Sequence, residues 1–276
     1  MELKKCFIAG MPNAGKSTYL AALWYSLVNP TQNKLTLKSV ESEEYLYGLS
    51  QKWSNCEELD RTLLGAEAKD LSVNVADVNG SEYKIMIPDL SGETFSNCYA
   101  QRALDADLAE YIIESDSVVL FVNVADVSEL ALISDLPSFP NELTNGDSKE
   151  LPTWNAYGDP MQTKLVELLQ IISSLKGVHS FKLGIVLSAW DLIAKLYPDE
   201  LPQNYLEQKL PLLWQFLSAN ENKYNMQYWG VSAQGADLKH KDDLITLNPL
   251  ERIAVFDSNG NKHNDISLPI YMILSD

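Results

Sequence analysis

The stretch Phe7-Ile8-Ala9-Gly10-Met11-Pro12-Asn13-Ala14-Gly15-Lys16-Ser17-Thr18 constrains this chain more than any other. An apolar strand runs into GMPNAGKST, which fits G-x-x-x-x-G-K-[ST], and an apolar helical pattern, KSTYLAALWYSLV, follows at once. Glycines let the backbone turn around a phosphate, the loop N–H groups point inward, and the helix N-terminus adds positive potential. Gly10, Asn13, Ala14, Gly15, Lys16, Ser17 and Thr18 are therefore candidate nucleotide-binding residues. Lys16 is expected to reach the β- and γ-phosphates and Ser17 to hold Mg²⁺. The alternative is a bare strand–turn–helix joint, which the complete strand and helix context disfavours.

The pattern after this loop alternates strands with helices. Strands are expected at 3–9, in LSVNVADV and EYKIMIPD around the turn Asn79-Gly80-Ser81, and at 117–124, 181–188 and 226–233. Asn-Gly between two alternating runs is a hairpin signal. Helices are expected at 16–28, 41–53, 97–114 and 161–175, and over 201–219, where Pro211 either breaks the segment or begins its second half. Pro269 suits the first turn of a short terminal helix. The order predicts an α/β fold of three layers, with a mostly parallel central sheet and one antiparallel edge strand from the early hairpin. The 276 residues read as one domain, 1–276, with insertions at about 31–68 and 126–160. In such folds ligands sit beyond the carboxyl ends of the strands.

Three further motifs fall at such ends. Asp89-Leu90-Ser91-Gly92 is a D-x-x-G, in which Asp89 can hold Mg²⁺ and Gly92 leaves room for a γ-phosphate and offers its N–H. Ser188-Ala189-Trp190-Asp191 and Ser232-Ala233-Gln234 end two later strands. With the phosphate loop, these motifs resemble in type and order the Ras-like P-loop GTPases of the translation-factor-related class. That family reads guanine with [NT]-K-x-D and then S-A-x. The resemblance implies that Asp191 accepts from guanine N1 and N2, and that Ser232 and Ala233 form the loop whose Ala233 N–H meets O6. Ser188 stands where the family has Asn or Thr, and Ala189 where it has the lysine that lies along the base. Trp190 either stacks in the lysine's stead or packs in the core.

The same resemblance implies a threonine that closes over Mg²⁺ and the γ-phosphate. Thr31, Thr36 and Thr62 are candidates, and Thr62, just before the hairpin, is preferred. Glu93 stands where most Ras-like proteins carry Gln; it is a candidate for orienting the attacking water, or else turns outward. Of the three arginines, Arg61, Arg102 and Arg252, Arg61 beside Thr62 is the candidate arginine finger. The expected catalytic set is thus Lys16, Glu93, Thr62 and Arg61, and the expected metal set Ser17, Thr62 and Asp89.

Lysines and arginines number 21 against 38 acidic residues, a formal charge of −17 that disfavours nucleic acid as a partner. Cys6, Cys56 and Cys98 are scattered without metal-ligand spacing, and with no expected leader or membrane span the chain reads as cytoplasmic. More narrowly, GMPNAGKST, the Arg-Thr before the hairpin, PDLSGE, S-A-W-D and a terminal D-I-x-x-P-I resemble the bacterial double-GTPase type. That resemblance implies slow GTP hydrolysis with Mg²⁺, GTP and GDP as ligands, and a protein effector or activator in a multi-component system, with defence among the roles of such systems. A P-loop ATPase and a nucleotide-holding module that does not hydrolyse are the alternatives.

Overall fold

Alternation along the buried strands assigns each strand residue to one of two helical layers. In β1 (Lys4–Ala9), Cys6 and Ile8 join one hydrophobic cluster while Phe7 and Ala9 join the other. The computed structural model of the chain describes residues 3–29, 33–59, 71–88, 92–128, 155–177 and 180–275. After β1 come α1 (Lys16–Val28), β2 (Leu35–Val40) and α2 (Glu43–Ser54), then the hairpin strands β3 (Leu71–Asp77) and β4 (Glu82–Ile87). Next are α3 (Glu93–Gln101), α4 (Ala106–Glu114), β5 (Ser117–Asn123), α5 (Met161–Lys176) and β6 (Phe181–Ser188). The chain continues through α6 (Asp191–Leu196), α7 (Pro202–Lys209), α8 (Pro211–Ala219), β7 (Tyr224–Ser232), α9 (Lys241–Leu244), β8 (Ala254–Phe256), β9 (Lys262–His263) and α10 (Leu268–Leu274).

Among the described residues the strands form one nine-stranded sheet in the order β2-β3-β4-β1-β5-β6-β7-β8-β9. Pairing is parallel from β4 through β1, β5 and β6 to β7. It is antiparallel at β2–β3, β3–β4, β7–β8 and β8–β9. Residues of α1, α2 and α10 fill one cluster, and residues of α3, α4, α5, α7 and α8 fill the other. The α/β expectation therefore holds, with helices on both faces. One detail is corrected: the antiparallel hairpin strand β3 is not the edge, because β2 pairs outside it. β2 was hidden within a polar segment; only Leu35 of its six residues is buried, so its period-2 signal is faint.

Local chemistry explains the other boundaries. The expected helix 97–114 is two helices, because Arg102 turns left-handed at φ 55° and Asp105 restarts the chain by accepting from Asp107 N at 2.9 Å. Pro211 occupies the first turn of α8 after a break at Leu210, and Pro269 does the same in α10. The expected insertion 31–68 contains β2 and α2, and its part from residue 60 lies outside the described residues, as does 129–154 of the second insertion. Among the described residues, no helix is long and apolar enough to cross a membrane.

Candidate functional site

The carboxyl ends of β1, β5, β6 and β7 open on one cavity of about 750 Å³. The loop from Pro12 to Tyr19 forms its floor, and Glu93, Asn123, Ser188 and Asp191 are among its walls. The loop owes its shape to Gly15, which has φ 89° and caps α1 without a side chain. Lys16 begins α1 and is only 3% exposed. Its Nζ donates to the carbonyls of Gly10 at 2.7 Å and Met11 at 3.1 Å, so the cation is folded back on its own loop. Asn13, Ala14, Gly15, Lys16, Ser17 and Thr18 all line this cavity, and Gly10 supplies one of the carbonyls that Lys16 binds.

Gly92 reaches the same loop from the other side. It is buried, has φ 80° and is the residue that caps the start of α3. A Cβ there would lie 2.5 Å from Met11 C and Pro12 N and 2.7 Å from Lys16 Nζ, so only glycine allows this approach. Glu93, the next residue, is solvent-exposed and lines the cavity. Arg61, Thr62, Asp89 and Thr31 lie outside the described residues. Thr36 is set aside as the closing threonine, because its Oγ1 donates to Ala76 O within the β2–β3 ladder. Of the other arginines, Arg102 pairs with Glu167, while Arg252 is 3% exposed and bonded to Cys56 and Ser54.

At the far end of the cavity, Asp191 begins α6 and its Oδ1 accepts from Ser232 Oγ at 2.8 Å. Ser232 Oγ in turn accepts from Gly235 N at 3.2 Å. The two sequence motifs therefore meet as one hydrogen-bonded unit, with Ala233 beside it. Ala189 lines the cavity and sits at φ 55°, a strained angle for a residue with a Cβ. Trp190 does not stack over the cavity. It is fully buried, its ring meets Tyr205 edge-on at 5.5 Å, and a Cβ on Gly230 would lie 2.5 Å from it. Asp237 at the rim is held below the ordinary carboxylate range, first by the Lys239 backbone N–H and further by the Lys239 and His240 charges.

Two tethers escaped the sequence reading. Ser188 Oγ donates to Ala14 O at 2.8 Å, and Asn123 Nδ2 donates to Asn13 O at 2.9 Å. Both residues end parallel strands, Asn123 on β5 beside β1 and Ser188 on β6 beside β5, so the strand-end rule that found Asp191 points to them too. Glu57, Glu58 and Leu59 also line the cavity, brought there by the end of α2.

The donors suit Mg²⁺ with a polyphosphate. Ser17 supplies a hard oxygen in the first turn of α1 at the cavity floor, and Mg²⁺ commonly takes one or two protein oxygens with phosphates and waters. A dedicated cage is not needed, and among the described residues no group of three or more His, Cys, Asp or Glu forms one.

The family model described as Double-GTPase 1 matches residues 7–273. Among solved structures, the chain is similar to the cytosolic domain of the T. maritima FeoB iron transporter in GMPPNP form, at 15% identity and TM-score 0.35, over 88% of this chain and 63% of that one. It is similar to a bacterial selenocysteine-specific elongation factor, EF-Sec, at 16% identity and TM-score 0.38, over 89% of this chain and 28% of that one. It is also similar to the signal recognition particle receptor SRb-GTP/SRX complex from Chaetomium thermophilum, at 13% identity and TM-score 0.42, over 84% of this chain and 92% of that one. The chain thus spans less than two thirds of the first two. At these scores the likeness says nothing of activity. Comparison with curated proteins gives no match.

Proposed function

The chain belongs to the Double-GTPase 1 family, a GTP-binding P-loop GTPase family, and we propose that it hydrolyses GTP to GDP and phosphate in this cavity. The observation that carries the reading is the convergence of Lys16, Gly92 and the Asp191–Ser232 pair on one site. The amides of the loop 13–18 and the start of α1 receive the phosphates. Lys16 exchanges the Gly10 and Met11 carbonyls for β- and γ-phosphate oxygens, a stronger charge-assisted pairing. Gly92 offers its N–H to the γ-phosphate. At the other end, Asp191 accepts from guanine N1 and N2, held in aim by Ser232, while Ala233 N–H meets O6.

Ser17, Asp89 and Thr62 would hold Mg²⁺, which when bound neutralises phosphate charge. Glu93 accepts a hydrogen bond from the attacking water and so aligns it with the γ-phosphorus. Arg61 donates to the charge that develops on the transferred group. Turnover is slow where a partner must complete this set. The segments around Thr62 and around Asp89–Glu93 respond to the γ-phosphate, and a protein effector or activator of a bacterial multi-component system reads them. A partner protein suits the charge of −17 better than nucleic acid does.

Titration with GTP, ATP and xanthosine triphosphate tests the base reading. The wild type is expected to prefer GTP, and Asp191→Asn to transfer that preference to xanthosine triphosphate. Equal affinity for GTP and ATP in the wild type would refute it. Phosphate release after mixing with GTP and Mg²⁺ tests hydrolysis.

A further inference from the structure

The base-reading loop rests on a buried cluster that the nucleotide does not require. Trp53, near the end of α2, is 1% exposed and its Nε1 donates to Ala233 O at 3.2 Å. Arg252 lies with its guanidinium 4.8 Å over the Trp53 ring. One arm donates to Cys56 Sγ at 2.6 Å and another to Ser54 O at 2.9 Å. Gln234, inside the base-reading loop, donates to the same Cys56 Sγ at 3.5 Å. Gly235 closes the loop at φ 93°, where a Cβ would lie 3.0 Å from both the Cβ and the main-chain oxygen of Arg252.

A buried guanidinium is costly to desolvate, and its fork needs several acceptors in fixed places. Here the acceptors come from Ser54 and Cys56, and the ring from Trp53. Cys56 itself sits at φ 55°, turning the chain out of α2. The next residues, Glu57, Glu58 and Leu59, line the nucleotide cavity and lead toward Arg61 and Thr62. The residues that fix the loop around Ala233 are therefore the residues from which the cavity-lining segment Glu57–Leu59 departs.

We propose that Trp53, Cys56 and Arg252 are positioning residues that hold the base-reading loop and couple it to the segment Glu57–Leu59, so that guanine seated at Ala233 orders that segment. The proposal rests on the assignment of Asp191 and Ala233 to the base. Coupling of this kind is reciprocal: whatever orders Glu57–Leu59 also tightens guanine.

The test compares GDP with inorganic tripolyphosphate, both with Mg²⁺, by calorimetric titration of the full chain. Trp53→Phe keeps a ring beneath Arg252 but removes the donor to Ala233. It is expected to weaken GDP about fivefold, the size of one net hydrogen bond, while tripolyphosphate affinity stays within about twofold. Arg252→Lys and Cys56→Ala, which break the fork from its two ends, are expected to lower the same ratio and stand in if Trp53→Phe folds poorly. Hydrogen exchange supplies the second readout. In the wild type GDP slows exchange at 54–59 more than tripolyphosphate does, and the excess disappears in Trp53→Phe. Equal loss of both affinities, or an unchanged GDP preference in all three variants, overturns the coupling. A wild type that binds GDP no better than tripolyphosphate overturns the base assignment, and the coupling with it.

Discussion

Ser188 Oγ donates a hydrogen bond to the main-chain oxygen of Ala14 over 2.8 Å, joining the end of β6 to the loop after β1. The contact is close as well as polar: a Cβ on Gly15 would lie 2.6 Å from Ser188 Oγ. A short side chain fits there, and Asn123 supports the neighbouring Asn13 carbonyl with a longer one. The loop is thus held from two adjacent strand ends, which fixes the direction of its amides before any phosphate arrives. Preorganisation of this kind lowers the ordering cost of binding.

Ser188→Ala removes the donor and leaves Ala14 O without it. The expected result is GDP affinity weaker by about five- to tenfold, with the fold retained, since one buried hydrogen bond is worth about 1 kcal/mol. Titration calorimetry measures it. An unchanged affinity would show that the loop keeps its shape without the tether.

The phosphate loop, the parallel strands from β1 to β7 and the places of Asp191 and Ser232 at two strand ends were legible because each rests on a short local pattern; the bond between Asp191 and Ser232 was not. Lys16, Gly92 and Asp191 needed only their neighbours in sequence to be found. Ser188 could be read as a departure at the base box, but its bond to Ala14 spans 174 positions and no local pattern encodes it. The break at Arg102 was illegible for another reason: the residues around it keep helical character, and a single left-handed residue carries no hydrophobic signal. Trp190 shows the limit of motif reasoning. Its place in the base box left both stacking and packing open, and the space beside Gly230 decides for packing.

Trp190→Ala follows from that burial. A fully enclosed indole, edge-on to Tyr205, leaves a large void when truncated. Unfolding by urea should show a loss of about 3–5 kcal/mol, the range for large aromatic truncations in a core. Trp190→Phe, which refills most of the void, should recover much of it. A nearly unchanged midpoint for Trp190→Ala would contradict the core placement.

Gly92→Ala meets two separate obstacles. The backbone angle of 80° is unfavourable for any residue with a Cβ, and the added carbon meets the main chain of Met11 and Pro12 at 2.5 Å. Stability is expected to fall by roughly 1–3 kcal/mol, the cost of a strained backbone residue. The functional effect is expected to depend on the ligand. Binding of a non-hydrolysable GTP analogue should suffer about tenfold more than binding of GDP, since an interaction with the γ-phosphate at this position serves the triphosphate alone. Equal losses for the two nucleotides would remove Gly92 from the γ-phosphate site.

Glu93 is the residue proposed to orient the attacking water. It is the first residue of α3, directly after Gly92, and its exposed side chain borders the cavity. A carboxylate there can accept a hydrogen bond from water, but it also sets negative charge near a triphosphate. The two effects separate in experiment. Glu93→Ala should slow single-turnover hydrolysis by about 10²-fold or more, the scale of a lost general base or orienting group. Both Glu93→Ala and Glu93→Gln should tighten a non-hydrolysable GTP analogue relative to GDP, an effect that shrinks as added salt screens the repulsion. Retention of an amide that can still accept a hydrogen bond should leave Glu93→Gln faster than Glu93→Ala. Hydrolysis at the wild-type rate in Glu93→Ala, measured before any product release, would move the water-orienting role to another residue.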